Sequence, residues 1–148
     1  MIDSFSGSYS FLSNFYDMRG FGGVQYAGFT FPTSENAYQA AKCANPCKMS
    51  EFIDVSAREA KQLGQRVQLR SDWNIFRLRA MQRILHNKFS TEPLRGWLIA
   101  TGSERLVEGN HWGDTYWGVC DGVGQNHLGQ LLMELRMELI SNDTAGDA

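Results

Sequence analysis

The segment from Trp73 to Phe89 constrains the fold most, because its apolar residues recur at the spacing of an α-helix. The apolar positions are Trp73, Phe76, Ala80, Met81, Ile84 and Leu85. Arginines occupy the other face, as in an amphipathic helix with one buried side. The pattern therefore makes Trp73 to Phe89 the clearest predicted helix of the chain.

Four further helices are indicated by capping and helix-breaking residues. Their predicted ranges are 33–43, 56–64, 93–102 and 126–140. The second begins with Ser56-Ala57-Arg58-Glu59, the pattern of a capping box, in which the Ser and Glu side chains bond each other's free backbone N–H groups. The chain is therefore expected to be rich in helix.

The first 32 residues predict strands and turns. Ser10 to Tyr16 is aromatic-rich and predicts a strand, and residues 24–31 predict a short hairpin that ends at Pro32. Between the last two helices lies an irregular, glycine- and tryptophan-rich segment, Glu108 to Gly124, and loops of that length are usually functional. The predicted fold class is mainly α (α+β), with a short N-terminal β-hairpin and a Trp/Gly-rich active-site loop.

The length of 148 residues predicts a single domain over 1–148 with its core at about 8–140, and the small, polar residues 141–148 are expected to fray. No apolar run approaches the ~20 residues that span a bilayer. The first residues lack the basic start and apolar stretch of a secretion signal. We therefore expect a cytoplasmic protein without a membrane partner; the oligomeric state is not indicated.

Three cysteines, an odd number, argue against a disulfide framework. Cys43, Cys47, Cys120 and the histidines show neither a C-x-x-C nor an H-x-x-x-H spacing, so a zinc site is disfavoured. No metal and no cofactor is expected.

Basic residues are concentrated between Arg58 and Lys88, where eight of the 14 lysines and arginines stand against Glu59 and Asp72. That segment carries +6, so the remainder of the chain carries −8. Two interpretations stay open: a solvated helical face, or a positive rim that attracts the phosphates of a nucleotide or nucleic acid.

The first helix places Glu35, Gln39 and Lys42 on one face, and Tyr38 borders that face. Glu35 lies in the first turn, where the helix dipole favours a carboxylate. A fixed carboxylate suits stabilisation of positive charge or activation of water. A solvated helix face is the alternative interpretation.

Trp112-Gly113-Asp114-Thr115-Tyr116-Trp117-Gly118 sets two tryptophans around an acid between glycines. Tryptophan is a flat stacking surface when it lines a pocket, so this stretch predicts a cleft for a planar group. Asp114 as an ordinary turn residue is the alternative. Two further polar residues have open roles: Asn14 needs a partner if it is buried, and Asn126 either caps the last helix or contacts substrate.

Several of these stretches together resemble the NADAR (YbiA-like) family. The matching stretches are 11–16 (Phe-Leu-Ser-Asn-Phe-Tyr), 32–42, 57–64, 69–73, 98–102, 117–118 and 128–136. They span residues 11 to about 140 in the family's order. Two departures, at 17–23 and in the tryptophan-rich loop, adjoin the presumed pocket.

The resemblance implies a helical fold and hydrolysis of N-glycosidic bonds. Carried over by motif, Glu35, Lys42 and Asp114 are the predicted catalytic residues, with Lys42 either an ion-paired orienting group or an amine nucleophile. The predicted substrate-binding residues are Asn14, Phe15, Tyr38, Gln39, Trp73, Trp112, Gly113, Trp117, Gly118 and Asn126.

Three functions remain open at this point. The preferred one is removal of ADP-ribose from ADP-ribosylated guanine in a nucleoside or nucleic acid, which suits two stacked rings and a basic segment. The second is the same chemistry on phosphoribosyl-aminopyrimidine intermediates of riboflavin synthesis, where one ring and one monophosphate are recognised. The third is a non-catalytic module that binds ADP-ribose or NAD.

Overall fold

The computed structural model describes residues 1–146 of the chain. It contains two compact units. The central unit is Asn14–Thr91, and the terminal unit joins Met1–Ser13 to the chain from Glu92 onward. The expectation of one domain over 1–148, with its core at about 8–140, stays a prediction.

The central unit is built on a hairpin and three helices. Strands β1 (Val24–Tyr26) and β2 (Phe29–Phe31) pair antiparallel, with Val24 opposite Phe31. Helices α1 (Ser34–Ala41), α2 (Ala57–Gly64) and α3 (Trp73–Lys88) follow, with a 3₁₀ segment at Pro46–Phe52 and a short one at Arg19–Phe21. The predicted helix-rich fold with a short hairpin is confirmed.

Local capping explains where α1 and α2 begin. The Thr33 side chain accepts a hydrogen bond from the Asn36 N–H, and Ser56 and Glu59 form the predicted capping box. Asn36 is fully buried, and its Nδ2 donates to the carbonyl oxygens of Phe52 and Val55. This amide ties α1 to the segment that follows it, so the orientation of α1 is fixed by a buried polar side chain.

The terminal unit contains α4 (Leu94–Ala100), α5 (His127–Gly146) and a small parallel pair, β3 (Gly109–Asn110) with β4 (Val119–Cys120). The sequence predicted that α5 ends near Ile140, followed by a frayed tail at 141–148. The helix instead continues to Gly146, and residues 147–148 lie outside the described residues. Among residues 1–146, no helix is both long enough and apolar enough to cross a bilayer.

The strand predicted over Ser10–Tyr16 is wrong. Residues Gly7–Leu12 form a 3₁₀ helix instead. Phe11 and Leu12 are adjacent and both buried, whereas successive side chains of a strand point to opposite faces. The Phe11 ring packs on Trp97 of α4 at 5.5 Å between centroids. The aromatic content of this stretch therefore reflects core packing and not a sheet.

Candidate active site

The polar face of α1 is buried. Glu35 is 8% exposed and Gln39 is 3% exposed, and the Gln39 Nε2 donates to Glu35 Oε1 at 2.8 Å. A solvated helix face is therefore excluded for these two residues. A buried carboxylate held by an amide is a costly arrangement that needs polar partners, and it is typical of a site where the charge is used.

Asn14 meets the first turn of α1 through its main chain. Its carbonyl oxygen accepts the Glu35 N–H at 2.9 Å, and its Nδ2 lies 3.7 Å from the Met81 sulfur. Asn14 is buried, so its side chain needs a hydrogen-bond partner. The structure thus gives its amide nitrogen only a weak sulfur acceptor.

Three buried oxygens of this unit lack a hydrogen-bond partner within the described residues. They are Asn14 Oδ1, Gln39 Oε1 and Ser34 Oγ. Buried polar atoms are almost always satisfied, so a bound ligand or water is the natural source of the missing donors. Ser34 was not singled out from the sequence; its position beside Glu35 in the first helical turn was the signal available.

Lys42 follows the last turn of α1, and its Nζ lies 5.7 Å from the centroid of the Tyr38 ring. Burial lowers the pKa of Lys42; the Glu35 carboxylate opposes this shift, and the Lys61 ammonium adds to it. The amine is therefore neutral in a larger fraction of molecules than a free lysine at the same pH. A neutral amine is the form that acts as a nucleophile.

Aromatic rings continue from Tyr38 along α3. The Tyr38 and Trp73 rings are 5.3 Å apart, and Trp73 and Phe76 are 6.5 Å apart. Trp73 is buried, whereas Phe15 is 47% exposed. Trp73 therefore packs against the Tyr38 ring, and Phe15 remains a candidate for stacking on a ligand.

Gly64, the last residue of α2, packs directly against the Gln39 side chain. A Cβ placed on Gly64 would collide with the Gln39 carboxamide. We expect Gly64→Ala to displace that amide from Glu35 and to lower kcat by about tenfold, as loss of one charge-assisted hydrogen bond does. Steady-state kinetics with a thermal melt checks this. Unchanged kcat in a folded variant would show that the Gln39–Glu35 bond is dispensable.

The tryptophan loop belongs to the terminal unit, and Asp114 organises it. Asp114 Oδ1 accepts the N–H groups of Tyr116 and Trp117 at 3.1 and 2.9 Å, and the Asp114 N–H donates to Asn110 Oδ1. This is the turn role that the sequence analysis kept as an alternative. Its predicted catalytic role stays a prediction.

The other predicted residues of this loop differ in exposure and space. Trp112 is 63% exposed and Gly113 has a φ of 84°, whereas Trp117 is half-buried. A Cβ on Gly118 would collide with Glu108, so only glycine fits there. Trp112 is thus presented to solvent, and Gly118 has a packing role whatever else it does.

Asn126 is buried and bonds main-chain groups outside α5. Its Nδ2 donates to the Leu106 oxygen and its Oδ1 accepts the Glu108 N–H, both at 3.0 Å. Asn126 holds the N-cap position of α5, because its carbonyl oxygen accepts the Gln130 N–H at 3.0 Å, while its side-chain amide joins two segments of the terminal unit. Its contact with substrate stays a prediction.

The structure thus gathers Glu35, Gln39, Lys42, Tyr38 and Trp73 around α1, with Asn14 at its first turn. Phe15 lies in the same unit. The remaining predicted residues, Trp112, Gly113, Asp114, Trp117, Gly118 and Asn126, belong to the terminal unit. Within residues 1–146, no three His, Cys, Asp or Glu side chains are grouped so as to hold a metal ion.

Comparison with known proteins gives consistent matches over almost the whole chain. The family model described as the NADAR domain matches residues 3–140. The N-glycosidase YbiA of Escherichia coli (strain K12) is 35% identical over 146 residues, which cover 94% of this chain and 91% of that protein. The NMR structure of the E. coli protein YbiA has a TM-score of 0.81 at 34% identity, and covers 97% of this chain and 89% of its own.

A longer relative matches equally well. A riboflavin biosynthesis protein of Vibrio vulnificus (strain YJ016) is 35% identical over 137 residues, or 89% of this chain. This chain spans only 36% of that protein. Since the family model covers residues 3–140 and a full-length relative matches at 35% identity, the chain belongs to the NADAR domain family.

Proposed function

We propose that this protein is an N-glycosidase that hydrolyses the bond between a sugar C1′ and a base nitrogen. The buried Glu35 carboxylate, held by Gln39 and flanked by Lys42, is the observation that carries the proposal. The relatives named N-glycosidase YbiA support the same reaction class.

Glu35 acts on the charge that develops at the sugar. As the C1′–N bond breaks, its electron pair goes to the base nitrogen and the sugar becomes oxocarbenium-like. An anionic carboxylate in a low-dielectric setting stabilises that cation more strongly than water does. Water then adds to C1′ and loses one proton to Glu35, and transfer of that proton to the base nitrogen through solvent completes the hydrolysis and restores the carboxylate. The orphaned oxygens of Asn14 and Ser34 are suited to accept the donors of the sugar hydroxyls, whereas Gln39 Oε1 packs against Gly64.

Lys42 offers a covalent variant of the same reaction. Its neutral amine attacks C1′, the base departs with the electron pair, and opening of the C1′–O4′ bond leaves an iminium that water hydrolyses to regenerate the amine. Its lowered pKa supports this route over that of a purely ion-paired orienting group.

We expect sodium borohydride to trap a sugar adduct on Lys42 during turnover, seen as a mass increase that maps to Lys42 by peptide mass spectrometry. Lys42→Met is expected to give no adduct and a loss of activity of about a hundredfold or more, because a nucleophile is removed. Lys42→Arg is the matched variant, since it keeps the charge without a nucleophilic amine. Full activity of Lys42→Arg would make Lys42 an orienting cation only.

For Asp114 we propose a role beyond its turn, as an acceptor for a sugar hydroxyl or as the acid that donates a proton to the departing base. Asn preserves the Oδ1 that binds the Tyr116 and Trp117 N–H groups. We therefore expect Asp114→Asn to melt as the parent does but to lose activity by about a hundredfold. Asp114→Ala is expected to lose both thermal stability and activity. If Asp114→Asn keeps full activity, Asp114 serves the loop alone.

The preferred substrate is ADP-ribosylated guanine. The central unit carries 11 Lys and Arg against 6 Asp and Glu, a net +5 that favours a diphosphate-bearing substrate. The names of the Vibrio relative and of a chloroplastic riboflavin biosynthesis protein of maize favour the second candidate, a phosphoribosyl-aminopyrimidine.

Comparison of kcat/KM on ADP-ribosylated guanosine and on the pyrimidine ribotide decides between the two substrates. We expect the first to be preferred. A preference for the ribotide would reverse the assignment. If neither is cleaved but ADP-ribose binds, the protein is a non-catalytic binding module.

A further inference from the structure

One cavity in the central unit contains none of the predicted site residues. Its volume is about 750 Å³, and it lies between the hairpin turn at Tyr26, the end of α1 at Ala41, and the segment 68–72. Cavities of roughly 300–1,000 Å³ accommodate small organic ligands. This one is therefore large enough for a nucleoside.

Part of the lining of this cavity is apolar. It includes Ala41, Ala44, Pro46, Met49 and Leu69. Ala44 and Pro46 are exposed at its edge, and Leu69 is 50% exposed. Small side chains beside a proline leave a shallow apolar slot, which suits the face of a planar ring.

The lining also carries hydrogen-bonding groups. Arg70 donates from Nε and Nη2 to the two carboxylate oxygens of Asp72 at 3.0 and 3.1 Å, and its guanidinium lies 3.7 Å from the Phe76 ring centroid. Nη1 takes no part in that ion pair. Gln68 and Tyr26 add further polar atoms to the wall. The polar part of the lining therefore offers donors and acceptors without excess charge, which suits a neutral polar ring better than a phosphate.

The cavity adjoins the polar face of α1 along the chain. Lys42 lies between the lining residues Ala41 and Cys43, and the Arg70 N–H donates to the Lys42 carbonyl at 2.9 Å. Trp73 directly follows Asp72. The two sites therefore share a backbone framework within one unit.

We propose that this cavity binds a heteroaromatic ring with an exocyclic amine, of the adenine type. The amine donates to Asp72 or Gln68, and a ring nitrogen accepts from Arg70. The face of the ring packs on Ala44 and Pro46. Only the identification of this ring with the adenine of an ADP-ribosyl substrate rests on the proposed function.

The test is calorimetric titration of the purified protein with adenosine and with inosine, which lacks the amine. We expect adenosine to bind about tenfold more tightly than inosine, the value of one hydrogen bond to a charged group. Ala44→Leu is expected to weaken adenosine binding about tenfold by filling the slot, and Asp72→Asn to reduce the preference over inosine. Ala100→Leu, on an exposed helix end of the terminal unit, is the matched control and is expected to bind as the parent does.

Absence of adenosine binding, or equal binding by the parent and Ala44→Leu, would overturn the proposal. Equal affinity for adenosine and inosine would overturn it as well. Hydrolysis of ADP-ribosylated guanosine without adenosine binding would remove the cavity assignment and leave the proposed function intact. Adenosine binding that Ala44→Leu weakens, without hydrolysis of ADP-ribosylated guanosine, would support the cavity assignment and contradict the proposed function.

Discussion

Replacing Glu35 by Gln is expected to lower kcat/KM by about a thousandfold while leaving the fold intact, because removal of one preorganised electrostatic group costs that much in comparable sites. The substitution keeps the size of the side chain and an oxygen that accepts the Gln39 Nε2, so the buried hydrogen bond survives. What it removes is the negative charge that we propose stabilises the developing sugar cation. The measurement is initial-rate kinetics beside a thermal melt.

Glu59→Gln is the matched control for this substitution. Glu59 is an exposed acid in the first turn of α2, where it completes a capping box. Its replacement is expected to keep the parent's kcat/KM, with a small loss of stability from the weakened cap. If Glu35→Gln stays within threefold of the parent, the carboxylate is structural and the catalytic assignment fails.

Lys88 is expected to make the stability of the protein rise with pH above neutrality. It is fully buried, its Nζ lies 5.1 Å from the Phe89 ring centroid and 5.7 Å from that of Tyr16, and burial lowers its pKa to about 7. In the unfolded chain the same amine titrates near its ordinary value, about 10.4. Between these two values the unfolded state binds a proton that the folded state does not, so the free energy of unfolding increases with pH.

Lys88→Met removes this titration and fills the same space with an apolar chain. We expect the parent to gain about 2 kcal/mol in free energy of unfolding over Lys88→Met between pH 7 and pH 9, from a slope of about 1.4 kcal/mol per pH unit at its steepest. Urea denaturation at the two pH values measures it. Lys61→Met, at an exposed position, is expected to change with pH as the parent does. An identical pH response in Lys88→Met would show that Lys88 titrates normally in the folded protein.

The helices were predictable because their signals are local. The caps at Thr33 and Ser56 and the apolar period of 73–89 act within a few residues of themselves, and the observed bounds follow them closely. The 3₁₀ helix at Gly7–Leu12 was missed because its aromatic residue Phe11 packs on distant Trp97, a contact that no local pattern encodes.

The residues of the site could be predicted from the sequence, but their burial and packing could not. Helical spacing placed Glu35 beside Gln39, and the hydrogen bond between them is present. Three features of this site depend on how α2 and the loop at Asn14 pack on α1. They are the burial of that pair, the close contact of Gly64 with Gln39, and the buried Ser34 oxygen without a hydrogen-bond partner. Lys88 shows the same limit, since a lysine at a helix end is ordinarily solvated.

Hydrolysis of ADP-ribosylated guanosine in H₂¹⁸O, with the mass of both products measured, is the decisive test of the proposed N-glycosidase reaction. Cleavage of the C1′–N bond by water predicts free ADP-ribose that carries one ¹⁸O and guanosine that carries none. The Glu35→Gln protein should form neither product at a comparable rate. Failure to release ADP-ribose, or label in the guanosine, would contradict the account.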